Sequence, residues 1–123
     1  MHFLLKVVQD LGFPLQPDSV IVDFGCGAGG FIREVRDAGY NAVGCDFRGL
    51  YPEDNTLIQD GTIRFIEEKP YRLPYDDNSV DVIVSTTVLE HVMNPGEAAR
   101  EMARILKPGG AAFHFFPARW SPI

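Results

Sequence analysis

Asp23, Gly25, Gly27, Gly29 and Gly30 crowd into one short run, and Asp46 stands alone further on. Glycine lets a chain turn tightly and brings backbone N–H groups against a ligand with no Cβ in the way. A carboxylate at a strand end accepts two hydrogen bonds, which suits the paired hydroxyls of a ribose. Gly25-x-Gly27-x-x-Gly30 fits the dinucleotide-binding fingerprint, with Asp46 about twenty residues on, where a ribose-binding acid is expected. The same letters also read as Asp23 ahead of Gly25-x-Gly27-x-Gly29. The glycines alone do not choose between these readings.

The elements that must hold these residues follow from periodicity. Val20 to Phe24 is a first strand, apolar except for Asp23. Phe31, Ile32, Val35 and Ala38 then share one helical face, and Gly39 sits where that helix ends. The helix start presents unpaired N–H groups and a partial positive charge to whatever binds. Upstream, Phe3, Leu4, Val7, Val8 and Leu11 keep helical spacing until Gly12 and Pro14 stop the run. Asn41 to Cys45 is a second strand ending at Asp46. The polar stretch Arg48 to Asn55 reads as loop or irregular helix.

Thr62 to Ile66 is a third strand, and Glu67 to Ser79 is a connection punctuated by Pro70, Pro74 and Asp76-Asp77-Asn78. Val80 to Ser85 is nearly continuous apolar sequence, as a strand buried on both faces requires. Asn94-Pro95-Gly96-Glu97 opens a helix, with Asn as cap, Pro at the first position and Glu reaching back. Ala98, Met102, Ile105 and Leu106 form its apolar face, and Lys107-Pro108-Gly109-Gly110 ends it before a fifth strand, Ala111 to Phe116. This alternation predicts an α/β, Rossmann-like, doubly wound sheet of mainly parallel strands in the order 3-2-1-4-5. Ligand sites in such sheets lie at the carboxyl ends of the strands. Gly25 to Gly29, Asp46 and Ser85 to Thr87 would meet there.

The chain has 123 residues, enough for one domain spanning 1–123. Its net charge of −6 repels phosphate backbones and anionic lipid, so no nucleic acid and no membrane partner is expected. No apolar run approaches the roughly 20 residues that cross a bilayer. The first residues make a poor signal peptide, and the reading is cytoplasmic. Cys26 and Cys45 lack metal-ligand spacing and read as buried reduced thiols. No metal is expected, since Glu90 and His91 are adjacent and lack a third ligand.

Four further segments decide between the glycine readings. Asp23 with Gly25-x-Gly27-x-Gly29 resembles motif I of the class I S-adenosylmethionine-dependent methyltransferases. Leu73-Pro74-Tyr75-Asp76-Asp77-Asn78-Ser79-Val80-Asp81-Val82-Ile83 looks like their L-P-[FY]-x-D-x-S-[FV]-D-x-[IV]. Val88-Leu89-Glu90-His91-Val92 is similar to their V-L-E-H-V. Arg104-Ile105-Leu106-Lys107-Pro108-Gly109-Gly110 is similar to their R-[IVL]-L-[KR]-P-G-G. The four stand in the family's order over roughly residues 18–116 and resemble its type 11-like members; a nicotinamide-binding domain would not be expected to carry the last three.

The resemblance implies S-adenosylmethionine as cofactor, with S-adenosylhomocysteine as product. Gly25, Cys26, Gly27 and Gly29 would wrap its methionine part, with Asp23 bracing the loop and engaging the amino group. Asp46 would hold both ribose hydroxyls, Phe47 would cover one face of the adenine, and Ser85 and Thr86 would offer carbonyls or hydroxyls to the amino group. The family's adenine-binding acid after strand three falls at Glu68 or Lys69, followed by Pro70-Tyr71, which is a departure. His91 has two readings, a general base or a structural and cleft-lining residue. His114 reads as a packed or edge histidine and His2 as exposed.

The function implied is methyl transfer to a small-molecule acceptor that the sequence does not identify; the alternative is a non-catalytic cofactor-binding module or inactive fragment with the same fold. Family members usually continue into strands six and seven. A last strand rich in Phe113, Phe115 and Phe116 would be an uncovered edge, so the expectation is a missing C-terminal segment or homo-oligomerisation.

Overall fold

The computed structural model of the chain describes residues 3–49, 52, 54–86 and 94–115. Five parallel strands form its sheet: β1 (Val20–Phe24), β2 (Asn41–Asp46), β3 (Ile63–Phe65), β6 (Val80–Thr86) and β7 (Leu106–Phe115). The order is β3-β2-β1-β6-β7, with every neighbouring pair parallel. This is the expected order, with β6 and β7 as the fourth and fifth strands. A two-residue hairpin, β4 (Glu67–Glu68) with β5 (Tyr71–Arg72), lies between β3 and β6, in the segment read as plain connection.

The helices α1 (Phe3–Asp10), α2 (Gly30–Asp37), α3 (Thr56–Gln59) and α4 (Pro95–Ile105) bury stripes on both faces of the sheet. One cluster joins Leu5 and Val8 of α1, Ile32 and Val35 of α2 and Leu57 of α3 to Ile21, Val82 and Val84. The opposite cluster joins Ala98, Met102 and Ile105 of α4 to Val22, Phe24, Cys45 and Ile83, with Ile66 and Leu73 closing it. Alternate strand residues feed alternate faces, as the pleat requires. Both faces are therefore covered, and the central strands β1 and β6 are almost wholly apolar.

Two local readings need correction, at Asn94 and at Lys107 to Gly110. Asn94 precedes α4, but its side chain makes no capping bond; its carbonyl accepts from Ala98 N–H instead. The stretch 48–55, read as loop or irregular helix, agrees with this among its described residues, and one turn of helix follows at α3, capped by Asn55. Lys107 to Gly110 does not separate α4 from its strand. Leu106 already pairs with Val80, and the register then jumps so that Ala111 pairs with Val82, throwing the four residues out as a bulge. Gly110 permits this, because a Cβ there would stand 2.9 Å from the Asp81 carbonyl oxygen.

The 73–81 and 101–107 segments are clamped together. Arg104 donates to Glu101 (2.8 and 2.9 Å), to Asp77 (2.8 Å) and to the carbonyls of Tyr75 and Leu73 (2.8 and 2.9 Å). Leu73 N–H returns a bond of 2.7 Å to Glu101. Asp81 accepts from Val20 N–H at 2.7 Å and from Lys107 at 3.2 Å, fastening the start of β1 to the bulge. β7 is the sheet edge among the described residues, yet Phe113 and Phe115 are half-buried. Phe113 meets the ring of Phe13 edge-on at 6.0 Å, which covers one face of that strand. Phe116 lies outside the described residues.

Candidate functional site

β1 ends at Phe24 and the chain turns through Gly25, Gly27 and Gly29, with φ of 79°, 58° and 96°. L side chains rarely adopt that region, which is why glycine stands at all three. The turn is bonded to β2: the Cys45 carbonyl accepts from Gly25 and Cys26 N–H at 2.8 and 3.2 Å. A Cβ at Gly44 would stand 2.6–2.9 Å from Ile32 Cδ1 and from Cys26 Cβ and Sγ, so a glycine inside β2 lets the loop lie flat on it. From the other side α3 supports the turn. Asn55 donates to the Ala28 carbonyl at 2.9 Å, and a Cβ at Gly29 would overlap Leu57 Cδ1.

Strand register brings the acids and hydroxyls to this turn. Asp23 pairs with Gly44 on one side and Val84 on the other, and Cys45 pairs with Phe24. Asp46, Ser85 and Thr86 therefore lie just beyond Asp23 at the same carboxyl edge. Of the sequence-derived residues, Asp23, Gly25, Cys26, Gly27, Gly29, Asp46, Phe47, Ser85 and Thr86 are brought together here. His91 and Glu90 lie outside the described residues.

The two acids have different environments. Asp46 is 8% exposed; one of its oxygens accepts from Gly27 N–H at 2.9 Å and the other from Phe47 N–H at 2.8 Å. Asp23 is 6% exposed and its carboxyl accepts no hydrogen bond among the described residues. Burial, and then the nearby Asp46 charge, push Asp23 up to about 7. Asp46 ties the loop to the end of β2, since one of its oxygens receives the Gly27 N–H. Asp23 is left as a largely buried carboxyl that accepts no hydrogen bond among the described residues.

The remaining site residues are less symmetric. Phe47 is half-buried and meets Tyr71 edge-on, with ring centroids 6.4 Å apart. Ser85 is 1% exposed, and its Oγ lies 2.6 Å from Nδ1 of His114, the residue opposite it on β7. Glu68 is exposed in the small hairpin. Burial raises both thiols. Cys26 packs with α2 on one face of the sheet and Cys45 with the α4 face, and both are buried free thiols. Among the described residues no group of acids, cysteines and histidines could hold a metal ion. Nor is any helix there long and apolar enough to cross a membrane.

Sequence reasoning missed Gly44, Asn55, Leu57 and the Ser85–His114 pair. A glycine interrupting an apolar strand was the available signal for Gly44, since it often marks close backbone approach. The others depend on tertiary contacts between distant segments.

Comparison with known proteins places this arrangement. The methyltransferase domain family matches residues 22–114. A curated protein of Mycobacteroides abscessus, called an uncharacterized methyltransferase, is 36% identical over 96 residues, covering 75% of this chain and 37% of that protein. The chain thus spans little more than a third of that relative's length. Among solved structures, a Galdieria sulphuraria protein provisionally named a sarcosine dimethylglycine methyltransferase superposes with a TM-score of 0.72 at 27% identity. That match covers 90% of this chain and 43% of the other. The [4+2]-cyclase SpnF superposes with a TM-score of 0.64 at 27% identity, covering 87% and 41%. With most of its length matched, and with the glycine turn and strand-end acids inside that match, the chain belongs to the methyltransferase domain family.

Proposed function

We propose that this domain binds S-adenosylmethionine along the carboxyl edge of β1, β2 and β6, and that the protein transfers the cofactor's methyl group to a small-molecule acceptor. The observation that carries the reading is Asp23: a largely buried carboxyl with no hydrogen-bond donor among the described residues, beside a glycine turn and between two strand ends that also hold oxygen acceptors. Such a group is costly to keep charged unless a cation arrives. The cofactor's amino group is such a cation. Asp46 fits the ribose, because each carboxylate oxygen has a second lone pair beyond the one used by Gly27 or Phe47. Phe47 offers a ring beside Asp46 for the adenine, and residues 85 and 86 add oxygen atoms at the end of β6.

When bound, the cofactor supplies a methyl group on a sulfonium. The domain's own part is to bind and orient, and positioning provides much of the acceleration of such a displacement. His91 stands as the candidate for taking a proton from an acceptor that must lose one. The net charge of −6 favours small acceptors over nucleic acid and anionic lipid. A cytoplasmic setting follows the same reading.

Calorimetric titration with S-adenosylhomocysteine tests it. Micromolar binding that Asp46→Asn weakens by about 1–3 kcal/mol is the expected result, since the amide keeps the shape and loses the charge-assisted bonds. No binding by the folded chain would overturn it. A second reading, a domain that binds the cofactor without methyl transfer, is favoured by one comparison: SpnF is a [4+2]-cyclase. Turnover of S-adenosylmethionine with any acceptor separates the two.

A further inference from the structure

The pair Ser85–His114 belongs to no motif that identifies the family, and it sits at the proposed cofactor edge. Ser85 is nearly fully buried at the end of β6, His114 is half-buried directly opposite on β7, and their side chains meet at 2.6 Å. Ser85 follows Ile83 and His114 follows Ala112 by two positions, so both side chains lie on the α4 face. A serine hydroxyl can donate or accept, and a neutral imidazole accepts at whichever nitrogen lacks hydrogen. Burial lowers the His114 pKa, which favours the neutral ring. Two polarities are therefore available: Ser85 donates to a bare Nδ1, or Nδ1–H donates to Ser85 and turns the hydroxyl proton elsewhere.

Resting on the cofactor reading above, we infer that His114 is a positioning residue, which accepts the Ser85 O–H hydrogen bond at Nδ1 so that β6 presents oxygen acceptors to the cofactor's cationic amino group. The opposite polarity would aim a hydroxyl proton, a partial positive charge, out of the pair at the end where a cation must settle. His114 touches no reacting atom; it acts through Ser85. Its hydrogen on Nε2 then completes the neutral ring.

The test compares wild type, Ser85→Ala, His114→Leu, His114→Asn and the double variant Ser85→Ala/His114→Leu. S-adenosylhomocysteine is the titrant, and thermal unfolding confirms that each is folded. Expected is a loss of affinity of about tenfold in Ser85→Ala and in His114→Leu, with no further loss in the double variant, because both remove one interaction. His114→Asn, whose side-chain oxygen can accept where Nδ1 did, should restore most of the binding. Nitrogen-15 spectra of wild type should show Nδ1 without hydrogen. Wild-type affinity in His114→Leu, failure of Asn to rescue, additive losses, or a protonated Nδ1 would each overturn the inference while leaving the cofactor reading standing. Failure of wild type itself to bind would remove both.

Discussion

Asp23 and Asp46 are chemically the same side chain at neighbouring strand ends, and their surroundings divide the labour. Two N–H donors fix the Asp46 carboxylate in place, whereas Asp23 faces burial and its neighbour's charge with no donor among the described residues. A carboxyl raised from 3.8 to about 7 stabilises the fold fully below its unfolded pKa, and that stability is lost as pH rises through about 7. Asp23→Asn should therefore be more stable than wild type at pH 8, by on the order of 2–4 kcal/mol, with the gap closing toward pH 4. Urea denaturation at the two pH values measures this. The same variant should bind S-adenosylhomocysteine more weakly, because the ammonium loses its counter-charge. Near pH 7 wild type should also release protons on binding, since a bound cation draws the Asp23 pKa down. Titrations in buffers of different ionisation enthalpy would show that release, and a proton count of zero would refute it. Residue type and spacing were enough to find both acids. That Asp46 ties the loop to β2 was not legible, because that depends on where backbone donors end up after β2 and the glycine turn have packed.

At the scale of elements, the strands and the three longer helices were legible because their apolar periodicity is clear and turn residues bound it. The hairpin β4–β5, the single turn α3 and the bulge at Lys107–Gly110 were not, because each is held by contacts from distant segments. Residues of the segments that carry the family resemblance fasten elements together. Arg104 is the clearest case: its side chain, 17% exposed, satisfies Glu101, Asp77 and two carbonyls of the 73–75 stretch. Arg104→Ala should cost about 2–4 kcal/mol in urea unfolding, since it strands a charged partner and two carbonyls at once. Arg104→Lys should recover only part of this, because a lysine cannot reproduce the planar fork. Gly44→Ala makes an independent check of how the glycine turn lies on β2. The added methyl meets Ile32 and Cys26, and overpacking of this kind costs about 1–3 kcal/mol. A stability equal to wild type would mean that the loop yields without penalty.

For the whole molecule, the glycine turn gathers support from every layer: β2 beneath it, α3 beside it, α2 leaving from it and Asp46 across it. A ligand seated there would bind only the folded chain, so it should stabilise the fold by mass action rather than by any local contact alone. At a hundredfold excess over its dissociation constant the gain is about 2.7 kcal/mol. For a domain of this size that is a rise in melting temperature of roughly 5–15 °C. S-adenosylhomocysteine should produce such a rise, and NADH should produce none, since the segments after the glycine turn are those of the methyltransferase family. Asp46→Asn should show a smaller rise at the same ligand concentration, in proportion to its weakened binding. A rise with NADH equal to that with S-adenosylhomocysteine would return the glycine turn to the dinucleotide reading that its letters also allow. No rise with either, in a chain that unfolds cooperatively, would overturn the cofactor reading altogether.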